Sequence, residues 1–281
     1  MASNPVLNKL KSAPGVAAPS RPAPSAEQLE QMYRQPSYGG TGYPPAAPAG
    51  QRDGGWGGAP ARYMSLDDVI ARTGAMLAMV FAAGAVTWAL TPAGMAGALI
   101  MIGAMGGLAL GLYMTFKMRV NAATALIYSA LEGLALGGIS KIFEARFPGI
   151  VVQALTGTVM VAAGMLIVYR IGAIRVTPRF TRMVVGATFG VFGLMVVNLI
   201  AYLFHPGGLG LRSGGAIAIL FSILCIVLAA FNLVIDFDVI EQGIRRGADQ
   251  KFAWYASFGL MVTLVWLYIE LLRLLGYMRS N

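Results

Sequence analysis

The side chains in this chain that could do chemistry are acids set inside apolar runs. Glu132 stands among apolar and small residues in "IYSALEGLALGG", residues 127–138. Asp236 and Asp238 close another apolar run in "NLVIDFDVIEQG", and Glu270 lies in "WLYIELLRLLG" with Arg273 three positions on. A carboxylate is a hard oxygen ligand of the kind calcium takes, and it can carry a proton. Such groups spaced along a passage would move cations or protons. Hydrolytic chemistry would need further parts that the sequence lacks. There is one histidine, His205 beside Pro206, one cysteine, Cys225 inside an apolar run, and no HExxH or GxSxG motif. An enzyme is therefore not expected. Cys225 can form no internal disulfide and reads as packing.

The elements that must position these acids follow from composition. Of 281 residues, 57% are hydrophobic and 12% charged, against about 25% charged in a soluble domain. Apolar runs recur at the length of roughly 20 residues that spans a hydrocarbon core. The expectation is an all-α polytopic membrane protein with seven spans near 73–91, 94–116, 122–140, 149–169, 183–204, 213–237 and 252–276. The net charge of +9 sits mostly in the short links, which makes it a topology signal rather than a nucleic-acid surface.

Residues 1–60 hold ten of the 14 prolines. A stretch so rich in Pro and Gly cannot bury enough apolar surface to offset its chain entropy, so residues 1–62 are expected to be a disordered tail ahead of a membrane domain, 63–281. Ser65 and Asp68 have capping-box spacing and should start the first helix. Glycines at 103, 107 and 111, at 133 and 137, and at 186 and 190 are spaced for close helix packing. With the tail inside, inner segments carry eleven Lys and Arg and outer ones five, which favours a cytoplasmic N-terminus.

Span three enters near residue 122, which puts Glu132 about 15 Å deep, close to the midplane. An acid there costs about 2.5–3.5 kcal/mol on insertion scales, and the strongest apolar residues of the span return only about 2–4 kcal/mol. Glu132 must then face the bundle interior, a partner or water, either as an interhelical hydrogen-bond donor or as a member of an ion or proton pathway. Asp236 and Asp238, two residues apart, point to roughly opposite faces of a helix. Asp236, following the apolar stripe, is expected to face inward, and Asp238, with Glu241 on its own face, to be interfacial. Glu270 and Arg273 are spaced for a local ion pair.

At "YSALEGLALGGI", "IDFDVIEQG" and "WLYIELLRLLG" the chain resembles the transmembrane Bax-inhibitor-motif family, specifically its bacterial YccA-like branch, over residues 65–279. The resemblance implies a seven-helix bundle whose last helix is central. It also implies a pH-sensitive calcium leak, in which an aspartate ending the sixth helix pairs with one in the seventh under a basic lock at the end of the second. Asp236 matches the first aspartate and Lys117 the basic residue, while Thr263 holds the second aspartate's place. An Asp236–Lys117 pair could close a mouth. Asp236, Glu132, Lys117 and Asp238 are accordingly the expected ion-pathway and pH-sensing residues, with Asp236 and Glu132 as candidate calcium ligands. No resident cofactor is implied; calcium would be the transported ion. The expected setting is a bacterial inner membrane, with the lipid bilayer and a membrane-bound protease as partners. A non-conducting protein that modulates such a protease is the competing reading.

Overall fold

The computed structural model describes residues 62–92, 95–117 and 120–280. The expected disordered tail lies, but for Arg62, outside the described residues. Seven helices follow: α1 (Leu66–Leu90), α2 (Ala96–Lys117), α3 (Ala122–Arg146), α4 (Ile150–Arg170), α5 (Pro178–Phe204), α6 (Ala216–Arg245) and α7 (Phe252–Ser280). All seven are long and apolar enough to cross a membrane. Side chains on the outer surface are apolar too, with Leu203 76% and Phe189 70% exposed. Only a hydrocarbon surround makes that favourable.

Several helices outrun the apolar stretches. α1 starts at Leu66 because Ser65 and Asp68 form the reciprocal cap: Ser65 Oγ accepts from the Asp68 amide at 3.1 Å, and Asp68 Oδ2 accepts from the Ser65 amide at 3.1 Å. Asn121 and Thr124 cap α3 in the same way. α3 continues to Arg146 and α6 to Arg245, through "KIFEAR" and "DVIEQGIR", which hydropathy assigns to links. Hydropathy marks the bilayer; caps and backbone hydrogen bonds mark helix ends.

Hydrogen bonds between links fix an alternating path. On one face, the Met64 amide donates to Ala248 O at 2.8 Å and the Gln250 amide to Arg62 O at 2.9 Å, joining the start of α1 to the α6–α7 link. This is the N-terminal face. On the opposite, C-terminal face, Lys141 Nζ donates to Trp88 O at 2.8 Å and Thr91 O at 2.6 Å, and Arg279 donates to Pro148 O at 2.9 Å.

α7 is the central helix, packed against α1, α3, α4 and α6. α2 packs on α3 and α5 on α6, at the periphery. Glycine makes the α1–α3–α2 layer possible. A Cβ on Gly137 would stand 2.5 Å from Gly84 O, one on Gly133 2.5 Å from Val80 O, and one on Gly103 2.5 Å from Leu131 O. These backbones approach more closely than any side chain allows. Gly186 and Gly190 are different: a Cβ there would meet nothing within 4 Å. The packing expected of that α5 pair is absent among the described residues, because α5 presents the pair to no neighbour.

Candidate functional site

Asp236 lies within α6, more than two turns before its end. The facing turn of α7 offers Gly259 and Thr263, four residues apart on one helical face. Thr263 Oγ1 is 2.6 Å from Asp236 Oδ2, the donor of a short hydrogen bond, and is also 3.2 Å from Gly259 O. A Cβ on Gly259 would lie 3.4 Å from Asp236 Oδ1, so the missing side chain makes room for the carboxyl. Thr263 thus faces the Asp236 carboxyl across the α6–α7 interface. One turn nearer the N-terminal face, Ile240 joins Met64, Val69, Ala253 and Ala256 in an apolar cluster over the carboxyl. That cluster is clipped shut by Gln250 Nε2 donating to Asp68 Oδ1 at 2.7 Å and by the Arg72 guanidinium 5.3 Å from the Trp254 ring centre.

Glu132 is half-buried at the α2–α3 interface. A Cβ on Gly107 would be 2.9 Å from Glu132 Oε1, and one on Gly111 3.2 Å from the Tyr128 ring. The α2 glycines therefore form a slot that receives Glu132 and Tyr128. The Tyr128 hydroxyl, one turn back on α3, is the polar group beside the acid. Tyr128 in turn meets Phe258 of α7 edge-on, with ring centres 5.0 Å apart. Phe258 and Gly259 are successive residues, so α7 turns one face to α3 and the next to α6. The two carboxyls lie in different interfaces, Glu132 between α2 and α3 and Asp236 between α6 and α7. Among the described residues, no three acids, histidines or cysteines converge as a metal cage would require.

Asp238 accepts from Gln242 Nε2 at 2.5 Å and lies 3.5 Å from the Tyr169 hydroxyl of α4, which also donates to Glu241. It is tied into this peripheral group at the α4–α6 boundary, on the face expected for it. Lys117 is exposed at the end of α2. Among the described residues it forms no ion pair, with Asp236 or otherwise, since α2 leans on α3 and α6 on α7.

Glu270 is the acid whose surroundings the sequence leaves largely unread. It is 1% exposed, and its two oxygens receive Arg212 Nη2 at 2.8 Å and Nη1 at 3.0 Å, a forked pair. Arg273 stands at 3.4 Å from Oε1, so the expected local pair is present but secondary. Arg212 comes from the α5–α6 link. Positive φ at Gly207, Gly208, Gly210 and Gly214, a region that glycine enters freely, folds the link back so that Arg212 dips beneath it. Its guanidinium is 5.3 Å from the Phe221 ring centre. Burial works against the charge of Arg212, and the hydrogen bonds and attraction of Glu270 outweigh it, holding the group's proton more tightly than usual. The readable signal was a buried acid demanding a cation and a link with Arg212 as its single charge; the pairing itself is long-range.

A seven-helix membrane bundle with a central last helix and isolated carboxyls beside it is the class that this arrangement defines. The chain belongs to the Bax inhibitor 1 like family, whose model matches residues 4–280. That match reaches well into the N-terminal stretch, farther than the span from residue 65 carried by the sequence motifs. No curated protein matches the chain.

Proposed function

We propose that this protein is a cation leak pathway in a membrane, with calcium as the favoured ion, gated by proton occupancy of its interior carboxyls. The observation that carries the proposal is Asp236, inside α6 and facing the central helix with a hydroxyl rather than a cation as its partner. A half-buried acid without a neutralising cation among the described residues is costly to keep in a bilayer; exchange with ions or protons gives it a use. Glu132 adds a second oxygen site in another interface, so ions would be handed along rather than caged. Thr73 Oγ1, buried on α1 without a hydrogen-bond partner among the described residues, adds a polar position in the interior on the N-terminal side. The clipped segment over Asp236 gives this reading a closed N-terminal mouth without an Asp236–Lys117 pair.

The charge bias supports a cytoplasmic N-terminal face, and the family resemblance a YccA-like protein of a bacterial inner membrane. Calcium entry into vesicles holding the full chain tests the reading. Glu132→Gln or Asp236→Asn should change the flux, and unchanged flux in both removes it. Deleting residues 1–60 separates it from the role of a protease-modulating interaction protein: a pathway still conducts, whereas an interaction protein loses its partner.

A further inference from the structure

One feature that the carboxyls do not use is a cleft of about 780 Å³. It lies between α1 and α4, which do not pack together, and α3, α7 and Phe237 of α6 form its floor. α1 contributes Phe81 and Trp88 to its walls, and α4 contributes Val159 and Leu166. Neither Asp236 nor Glu132 lines it. Its volume is within the range of ligand sites, roughly 300–1,000 Å³, and well beyond an ordinary packing defect.

The chemistry of the walls changes along the cleft. Most of its length is apolar and lies at the depth of the hydrocarbon core. Towards the C-terminal face it ends at Glu144 and at the buried Ser140–Tyr268 pair, whose oxygens are 2.6 Å apart. Glu144 is already committed, accepting the amides of Gly149 at 2.5 Å and Val151 at 3.1 Å at the start of α4. Two cations stand at this end. Lys141, on the α3 face of Gly137 and Glu144, uses two of its three donors on Trp88 O and Thr91 O. Arg279 holds Pro148 O at 2.9 Å and Gln153 Oε1 at 2.9 Å, next to cleft residues Val151 and Val152. Among the described residues neither forms an ion pair with a carboxylate.

A long apolar slot open to the acyl chains, with two cations against the single carboxylate of Glu144 at its headgroup end, matches one kind of molecule. We propose that the cleft is a phospholipid site. An acyl chain from the leaflet on the C-terminal face inserts between α1 and α4, and the headgroup phosphate rests against Lys141 and Arg279. The lipid would fill the gap that keeps α1 and α4 apart and so set their spacing around the central helix.

Photo-crosslinking of the full chain in vesicles, with phosphatidylglycerol carrying a diazirine in its acyl chain, tests this. Adducts should concentrate on the facing residues of α1 and α4, above the level at exposed apolar positions of α2 and α5 such as Met105 and Phe189. Ala85→Phe with Ala163→Phe, both cleft-lining and exposed, should abolish that excess. Lys141→Gln should reduce it several-fold, as should a diacylglycerol probe with the same chain and no phosphate. Even labelling of all exposed helix faces by the wild type overturns the site, whether or not the filled variant folds. Equal labelling by the two probes overturns the phosphate contact.

Discussion

Removing Arg212 should destabilise the bundle far more than removing an arginine from a surface pair, and the same molecule supplies both cases. Arg212 and Glu270 form a forked pair with Glu270 1% exposed. Arg212→Met leaves a carboxylate sealed in the bundle with only Arg273, at 3.4 Å. Breaking a buried pair by deleting one partner costs about 3–5 kcal/mol. At about 2–4 °C per kcal/mol for a chain of this size, the melting temperature in detergent should fall by roughly 6–20 °C. The Arg245–Glu241 pair has side chains 76% and 41% exposed, and Arg245→Ala should cost less than about 1 kcal/mol. The double change Arg212→Met with Glu270→Met removes both charges and keeps apolar volume. It should recover most of the loss, since apolar replacement of both partners is often neutral or better. A double-mutant cycle by thermal unfolding measures the coupling. If Arg212→Met melts like Arg245→Ala, water reaches Glu270 and the reading of a dry, structural ion pair is wrong.

Four further outcomes follow from the packing. Gly137→Ala pushes a methyl group into Gly84 of α1 and should cost about 1–3 kcal/mol by overpacking, read as a lower melting temperature. Gly186→Ala meets open space and should be neutral or gain up to about 1 kcal/mol from helix propensity. Ser65→Ala removes the cap of α1; a loss of about 1 kcal/mol should appear as faster amide exchange at Asp68. Thr263→Asp places a second acid opposite Asp236, and on the proposed function calcium flux should then depend more steeply on pH than in the wild type; an unchanged profile would show that α7 does not take part in proton sensing.

Most of the fold was written in the sequence in local terms. Seven apolar runs, the Ser65 cap and the α2 and α3 glycines act over a turn or a bilayer's width, and each reappears as a helix, a cap or a close crossing. Asp236 facing Thr263 was legible because a periodicity and a motif both pointed inward there. What was not legible depended on which helices become neighbours. Gly186 and Gly190 have the spacing of a packing motif, yet α5 sits at the edge and offers them to no partner. Asp236 faces the central helix, but Glu132 turns to the peripheral α2, so the two acids lie in separate interfaces. The Arg212–Glu270 fork joins residues far apart in the chain through a glycine-bent link, and no spacing rule reports such a pair. The cleft between α1 and α4 is a property of the gap between two helices that do not meet.

Water access to Asp236 tests the central claim most directly. In a Cys225→Ser background, a cysteine in place of Asp236 should react with a small, membrane-impermeant thiol reagent, and calcium should slow the reaction. The wild-type Cys225, 0% exposed, should stay unreactive and sets the baseline. A cysteine at position 236 as inert as Cys225 from both sides of the membrane, over the full range of pH at which the protein stays folded, would contradict an ion pathway through this bundle.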